Sequence, residues 1–174
     1  AVKAARLMSA APAGSMQRQT LAALVVEAWV RAREGREALR VLDAESVPGA
    51  AFWKAQALLQ TGDTESAEKL LAGRVSQNEA TSQERLLLAQ LSLNEGNLAQ
   101  ARQVVEPLIK SADTALAQKA RLIVDEAELR AGHPERAVSD LTGSELMADT
   151  KARLLLAQSM VHLGKHAEAQ AQLR

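Results

Sequence analysis

"NEGNLAQARQVV" occupies residues 94–105, and its pattern returns as "QTGDTESAEKLL" at 60–71, "RAGHPERAVSDL" at 130–141 and "HLGKHAEAQAQL" at 162–173. In each stretch an alanine follows the glycine by five residues and an apolar residue follows that alanine by four. The sets are Gly62, Ala67 and Leu71; Gly96, Ala101 and Val105; Gly132, Ala137 and Leu141; Gly164, Ala169 and Leu173. Glycine takes positive φ without a Cβ penalty, so it ends one helix, and a short polar residue or proline opens the next. Asp63 or Thr64 can cap the new helix, and Pro134 stands near a first helical position, where a missing N–H costs nothing. The small alanine lets the second helix approach the first closely, and the Leu or Val one turn later fills the space above it. Each stretch is therefore the bend of a helical hairpin.

Outward from these four, "VVEAWVRAREGREALRVL" at 25–42 has the same sense, with a turn about two residues shorter that puts Ala38 in the alanine's place. The alanines at 38, 67, 101, 137 and 169 lie 29, 34, 36 and 32 residues apart, a period that belongs to helical solenoids. First helices carry Ala55, Ala89 and Ala157 as further close-approach points, while Asp125 departs from that rule. Pro107, in "VVEPLI", is expected to kink or end its helix. The stretches 73–83 and 143–151 are expected to be surface loops.

The composition agrees. With 35 Ala, 26 Leu, one Phe and no Tyr, helix formers dominate and the chain reads as all-α, its core made of many close, thin helix contacts. Lys plus Arg equals Asp plus Glu at 21 each, so no field draws nucleic acid to the chain. The longest apolar runs, such as "LAALVV" at 21–26, fall far short of the roughly 18 residues that span a bilayer, so no direct membrane insertion is expected. Without Cys there is no thiol chemistry, and no nucleophile elbow, phosphate loop or shielded carboxylate pair points to catalysis. His162 and His166 are four apart, but Gly164 breaks the helix between them and a third ligand is missing, so no metal and no cofactor are expected. The column Arg85, Arg121 and Arg153 is assigned to ion pairs with neighbouring acids such as Glu84, Glu68, Glu106 and Asp125.

These spacings resemble the tetratricopeptide repeat family, whose consensus sets a small residue in the first helix, a glycine at the turn and alanines in the second helix across about 34 residues. The resemblance covers residues 20–174, with Arg85, Arg121 and Arg153 where the family has Trp and with most closing prolines absent. It implies a right-handed solenoid of antiparallel helix pairs. The domain reading is one repeat domain over 1–174, with hairpins at about 20–46, 50–76, 83–111, 115–143 and 150–174 after a partial helix at 1–12. Neither end carries a polar cap, so the chain is read as a fragment of a longer array or as one module of a larger protein.

By the same resemblance the concave, first-helix face carries Phe52, Gln56 and Leu59; Leu86, Gln90 and Leu93; Leu122, Glu126 and Leu129; and Leu154, Gln158 and Val161. Alternating apolar and amide rows suit an extended peptide or an amphipathic helix of a partner protein. A small rotation would instead turn the leucine rows into packing between first helices. Family members that grip a C-terminal carboxylate use Lys and Asn where this chain has Leu and Trp53, so that clamp is not expected. The function expected is a non-enzymatic interaction scaffold. The alternatives are a regulatory or positioning domain of a larger enzyme, and a structural spacer in a bacterial envelope secretion or pilus assembly. The Ala- and Gln-rich style leans toward a bacterial source and toward the periplasm over the cytoplasm.

Overall fold

A computed structural model describes residues 2–173, and among them every regular element is helical. The expected partial helix at 1–12 and the expected last hairpin at 150–174 each include one residue, Ala1 and Arg174, outside the described range. The chain divides into two units, residues 1–84 and 85–174. The first holds α1 (Val2–Ala10), α2 (Met16–Arg31), α3 (Gly35–Ala44), α4 (Ala50–Thr61) and α5 (Thr64–Ser76). The second holds most of α6 (Ser82–Asn94), then α7 (Leu98–Ile109), α8 (Thr114–Arg130), α9 (Pro134–Leu141), a 3-10 turn (Glu145–Ala148), α10 (Thr150–His162) and α11 (His166–Gln172).

One backbone device closes the hairpins. At Gly132, φ is 86°, its N–H donates to the Leu129 carbonyl and the next N–H, of His133, donates to Glu128. This is a Schellman closure, in which two main-chain bonds satisfy carbonyls that the helix end would leave bare. Gly62, Gly96 and Gly164 repeat it bond for bond. So does Arg33, which corrects the expectation of a shorter first turn. Its φ is 60°, its N–H reaches the Val30 carbonyl, and Glu34 N–H reaches Trp29. The first turn therefore keeps the common spacing to Ala38, with an arginine in the left-handed position.

Side chains open the helices that follow. Asp63 accepts from Ser66 N–H at 3.1 Å, Asn97 from Gln100 N–H at 3.3 Å and Asp113 from Leu116 N–H at 3.1 Å. Each bond satisfies one N–H that has no partner in the first helical turn. Ahead of α6, Thr81 and Glu84 cap each other reciprocally: Thr81 N–H donates to the Glu84 carboxylate at 3.0 Å, and Glu84 N–H donates to Thr81 Oγ1 at 3.3 Å. Arg74 Nε donates to the same buried carboxylate at 2.9 Å. Glu84 is thus held by Arg74, outside the arginine column that the sequence suggested for it.

The alanines of the pattern do what close approach requires. Ala38, Ala67, Ala101, Ala137 and Ala169 are all buried, as are Ala55, Ala89 and Ala157 on the first helices. In the first unit Ala22, Val26, Val30, Ala38, Val47 and Ala57 form one core, with Trp29 and Trp53 packed against it. Arg18 ties this unit together, bonding Glu45 through Nε at 2.9 and 3.0 Å and the Ala11 carbonyl through Nη1 at 3.1 Å. Those hydrogen bonds hold the Glu45 carboxyl below its usual range, against the desolvation that opposes them. In the second unit Leu122, Leu141, Leu146, Leu155, Leu156 and Met160 lead the core, with Leu129 and Val138 packed on its edge. First helices touch within each unit, α2 with α4 and α8 with α10.

Two expected loops are shorter than the sequence indicated. Residues 73–76 continue α5, and 82–83 already belong to α6. The stretch 143–151 contains the 3-10 turn, and it is no mere surface loop because Leu146 is buried in the core. Burial of that apolar side chain outweighs the polar character of its neighbours. Pro107 lies inside α7, which ends two residues later at Ile109.

Gly35 marks a close contact between α3 and α4. A Cβ built there would lie 2.6 Å from the Ala57 carbonyl oxygen and 2.9 Å from Gln60 Cβ. Gly35→Ala should therefore cost about 1 to 3 kcal/mol through overpacking. Gly73, inside α5 with open space around it, is the control. Gly73→Ala should leave stability unchanged or raise it by about 0.5 to 1 kcal/mol. Urea denaturation of both variants checks this, and equal midpoints would remove the close contact from the account.

Candidate functional site

In the second unit a cleft of about 910 Å³ opens where α8, α10 and α11 meet. Its floor is Leu129 from α8, Leu154 and Val161 from α10, and Leu173 just beyond α11. Leu154 is 47% exposed, Val161 49% and Leu173 60%, so large apolar side chains stand in water here. Gln158 and Gln170 add amides, and His162 and His166 lie along the rim. Among the described residues no three or more His, Cys, Asp or Glu side chains gather into a group able to hold a metal ion.

One wall is an ion cluster. Glu126 is shared by two cations, Arg130 Nη2 at 2.5 Å and Lys151 Nζ at 3.2 Å. Arg130 also donates through Nη1 to the Leu93 carbonyl at 2.6 Å, which fixes its guanidinium between α6 and α8. Two positive charges against one carboxylate leave this wall with a surplus of one.

A second cleft of about 310 Å³ opens beside Arg121, Asp125, Asp140 and Ser144. Asp125 is 2% exposed, and its Oδ2 has no hydrogen-bond partner. Burial first, then the negative charges of Asp140 and Glu128, push its carboxyl up to about 7, with Arg121 opposing. Glu128 is itself neutralised by Arg102 at 2.9 Å and Arg136 at 3.0 Å. In other hairpins the position of Asp125 holds Ala55, Ala89 or Ala157. A carboxyl has taken the place of a methyl at a helix contact.

The twelve residues singled out from the sequence divide three ways. Glu126, Leu129, Leu154, Gln158 and Val161 line the larger cleft. Phe52, Gln56 and Leu59 are half-buried on α4 of the first unit, where Phe52 meets Trp53 edge-on at 5.2 Å. Leu86 and Gln90 are half-buried on α6, the Gln90 amide within 3.5 Å of Asn94 Oδ1. Leu93 and Leu122 are corrections of position: at 0% and 6% exposure they lie in the core and offer a partner no surface. Leu122 is covered because α10 packs over it, while the same place on α10, Leu154, is open. Lys151, Arg130, His166 and Leu173 line the cleft without having been assigned to the binding face. The signal for Leu173 was present in the repeat, since it stands one period after the core residue Leu141.

The tetratricopeptide repeat family model matches residues 48–72, 85–107 and 151–174. Each match begins at or near a first helix and runs into its second: α4 into α5, α6 into α7, α10 into α11. These three segments match the tetratricopeptide repeat. Tetratricopeptide repeats are in general non-enzymatic modules that bind other proteins or peptides, and no helix of the described residues is long and apolar enough to cross a membrane. The last match includes most of the cleft, which places the exposed leucines on the α10–α11 repeat. Neither a curated protein nor a solved structure matches the chain.

Proposed function

We propose that this tetratricopeptide chain is a capture module whose second unit holds a segment of a partner protein against α8, α10 and α11. The observation that carries the reading is the exposure of Leu154, Val161 and Leu173 around one cleft, where large apolar side chains stay uncovered beside a charged wall. Such a surface holds a partner by burying apolar anchors, while amides and charges at the rim fix orientation. Within the second unit, the half-buried Leu86 and Gln90 on α6 are the further contacts this reading expects.

The test is capture from the source organism with the wild-type chain and the Leu154→Ser/Val161→Ser double variant. Both positions are about half exposed, so the variant should keep its helicity and melting temperature. Losing two desolvated anchors should weaken binding by roughly 2 to 4 kcal/mol, enough to empty a micromolar complex from the resin. A folded double variant that retains every wild-type partner would overturn the reading.

A further inference from the structure

Packing does not require a carboxyl at residue 125. The equivalent place on three other first helices holds Ala55, Ala89 or Ala157, each buried at a helix contact. Asp125 is buried as deeply, at 2% exposure, yet its Oδ2 has no hydrogen-bond partner. A buried acceptor left bare has lost the bonds it made with water, so the fold alone carries a cost that an alanine would not impose. A molecule that donates to this oxygen would remove that cost.

The cleft of about 310 Å³ beside Asp125 suits such a molecule. It lies at the small end of the roughly 300 to 1,000 Å³ of ligand pockets, so it takes one small group and not a stretch of chain. Its apolar wall is Ile109 from α7, Val124 from α8 and Leu146 from the 3-10 turn. Asp140 on α9 is exposed beside it, and among the described residues its carboxylate has no ion-pair partner. Ser144 Oγ donates its one proton to the Leu141 carbonyl at 2.8 Å, so it offers a ligand lone pairs only. Arg121, one turn before Asp125 on α8, is exposed and forms an ion pair with neither carboxyl. Three acceptors thus line one cleft with an aliphatic wall between them, and the buried one is unsatisfied.

We propose that this cleft binds a primary ammonium group carried on a short aliphatic stem, the chemistry shared by a free alkylamine and a lysine side chain of another polypeptide. The three N–H groups of an ammonium match the three acceptors, and the stem lies against Ile109, Val124 and Leu146. A bound cation also favours the ionised form of Asp125. Burial, then Asp140 and Glu128, oppose that form, Arg121 favours it, and the carboxyl stands at about 7. An alkylammonium keeps its own proton far above that pH, so it binds by displacing the proton of Asp125. The site shares no lining residue with the capture cleft, and the two readings stand or fall separately.

The test titrates n-butylammonium chloride into the full chain and follows the backbone amide resonances of Ile109, Ser144 and Leu146. At pH 8 they should move together and saturate. Butan-1-ol, with the same stem and no charge, and butyrate, with the opposite charge, should each bind at least about tenfold more weakly. From pH 8 to pH 5 the affinity for n-butylammonium should fall at least about tenfold as Asp125 regains its proton. Asp125→Ala restores the residue of the other hairpins, so it should stay folded while binding weakens at least about tenfold and loses its pH dependence. Asp140→Asn, at an exposed position, should weaken binding about two- to fivefold. Nα-acetyl-lysine methylamide separates the sources: if it binds as n-butylammonium does, a lysine side chain is an occupant, and if it fails where n-butylammonium binds, the site is one for free amines. The proposal is overturned if butan-1-ol or butyrate binds as tightly as n-butylammonium, if folded Asp125→Ala binds it unchanged, or if neither amine moves these resonances.

Discussion

Leu122→Ala should cost the second unit about 2 to 5 kcal/mol, whereas Leu154→Ala should cost less than about 1. The two leucines hold equivalent places in successive hairpins and the substitution removes the same atoms, so sequence context alone gives no reason for a difference. Burial gives one. Leu122 is 6% exposed inside the cluster closed by α10, so truncation leaves a cavity that the packed helices cannot fill. Leu154 is 47% exposed, and shortening it removes surface that water already reaches. Chemical denaturation of the two variants, followed by helicity, makes the comparison. Similar losses would mean that Leu122 is not under α10, and the assignment of the open cleft to the following repeat would fall with it.

Asp125→Asn should stabilise the chain by about 2 kcal/mol at pH 8 and have little effect at pH 4. The Asp125 carboxyl is raised from 3.8 to about 7 by burial, then by Asp140 and Glu128, against the opposing charge of Arg121. From pH 4 to pH 7 the unfolded chain has released this proton and the folded chain has kept it, so stability falls as pH rises through that window and levels off above it. The full displacement corresponds to at most about 4 kcal/mol, and the effective dielectric around a buried charge in a real protein reduces that by about half. Asparagine keeps the shape and cannot ionise. Melting curves of wild type and variant at several pH values isolate the effect, because every other carboxylate is common to both. Parallel pH profiles for the two proteins would show that Asp125 ionises as freely in the folded chain as in the unfolded one.

The hairpins were legible in the sequence because their causes are local. A glycine turn, an alanine five residues later and an apolar residue four beyond that specify where the chain bends and which face packs, and the five pattern alanines are buried accordingly. Arg33 escaped that reading. Nothing in a residue's identity shows that an arginine has accepted a positive φ, and Gly35, the nearby glycine, drew attention to itself although its real place is the close contact with α4. The candidate site was legible only in part, for a different reason. Leu122 and Leu154 are indistinguishable in pattern, and what separates core from surface is whether a further helix lies over them. The α11 side of the cleft lies outside a reading confined to first helices, and the cations Arg130, at the end of α8, and Lys151, at the start of α10, meet at the Glu126 carboxylate only through packing. Asp125 stood out as a break in an alanine column, and its raised proton affinity comes first from burial and then from Asp140 on α9, neither of which the sequence places.

The five turns close through main-chain groups alone, and this bears on how the chain can vary. Each closure needs one residue at positive φ and two carbonyls in reach, and it makes no demand on the side chains just beyond, which read Asp-Thr, Asn-Leu, His-Pro, Lys-His and, after Arg33, Glu-Gly. Apart from Gly35, whose contact with α4 is specific to the first hairpin, and Asp63 and Asn97, whose side chains cap the next helix, these bends are where substitutions can accumulate without disturbing a packed neighbour. Divergence between copies of the unit is therefore directed to the bends and to the exposed helix faces, while the second-helix alanines at 38, 67, 101, 137 and 169 stay fixed. A lineage that duplicates such a unit inherits a joint already tolerant of drift, and it can alter what the faces recognise without re-engineering how the copies stack.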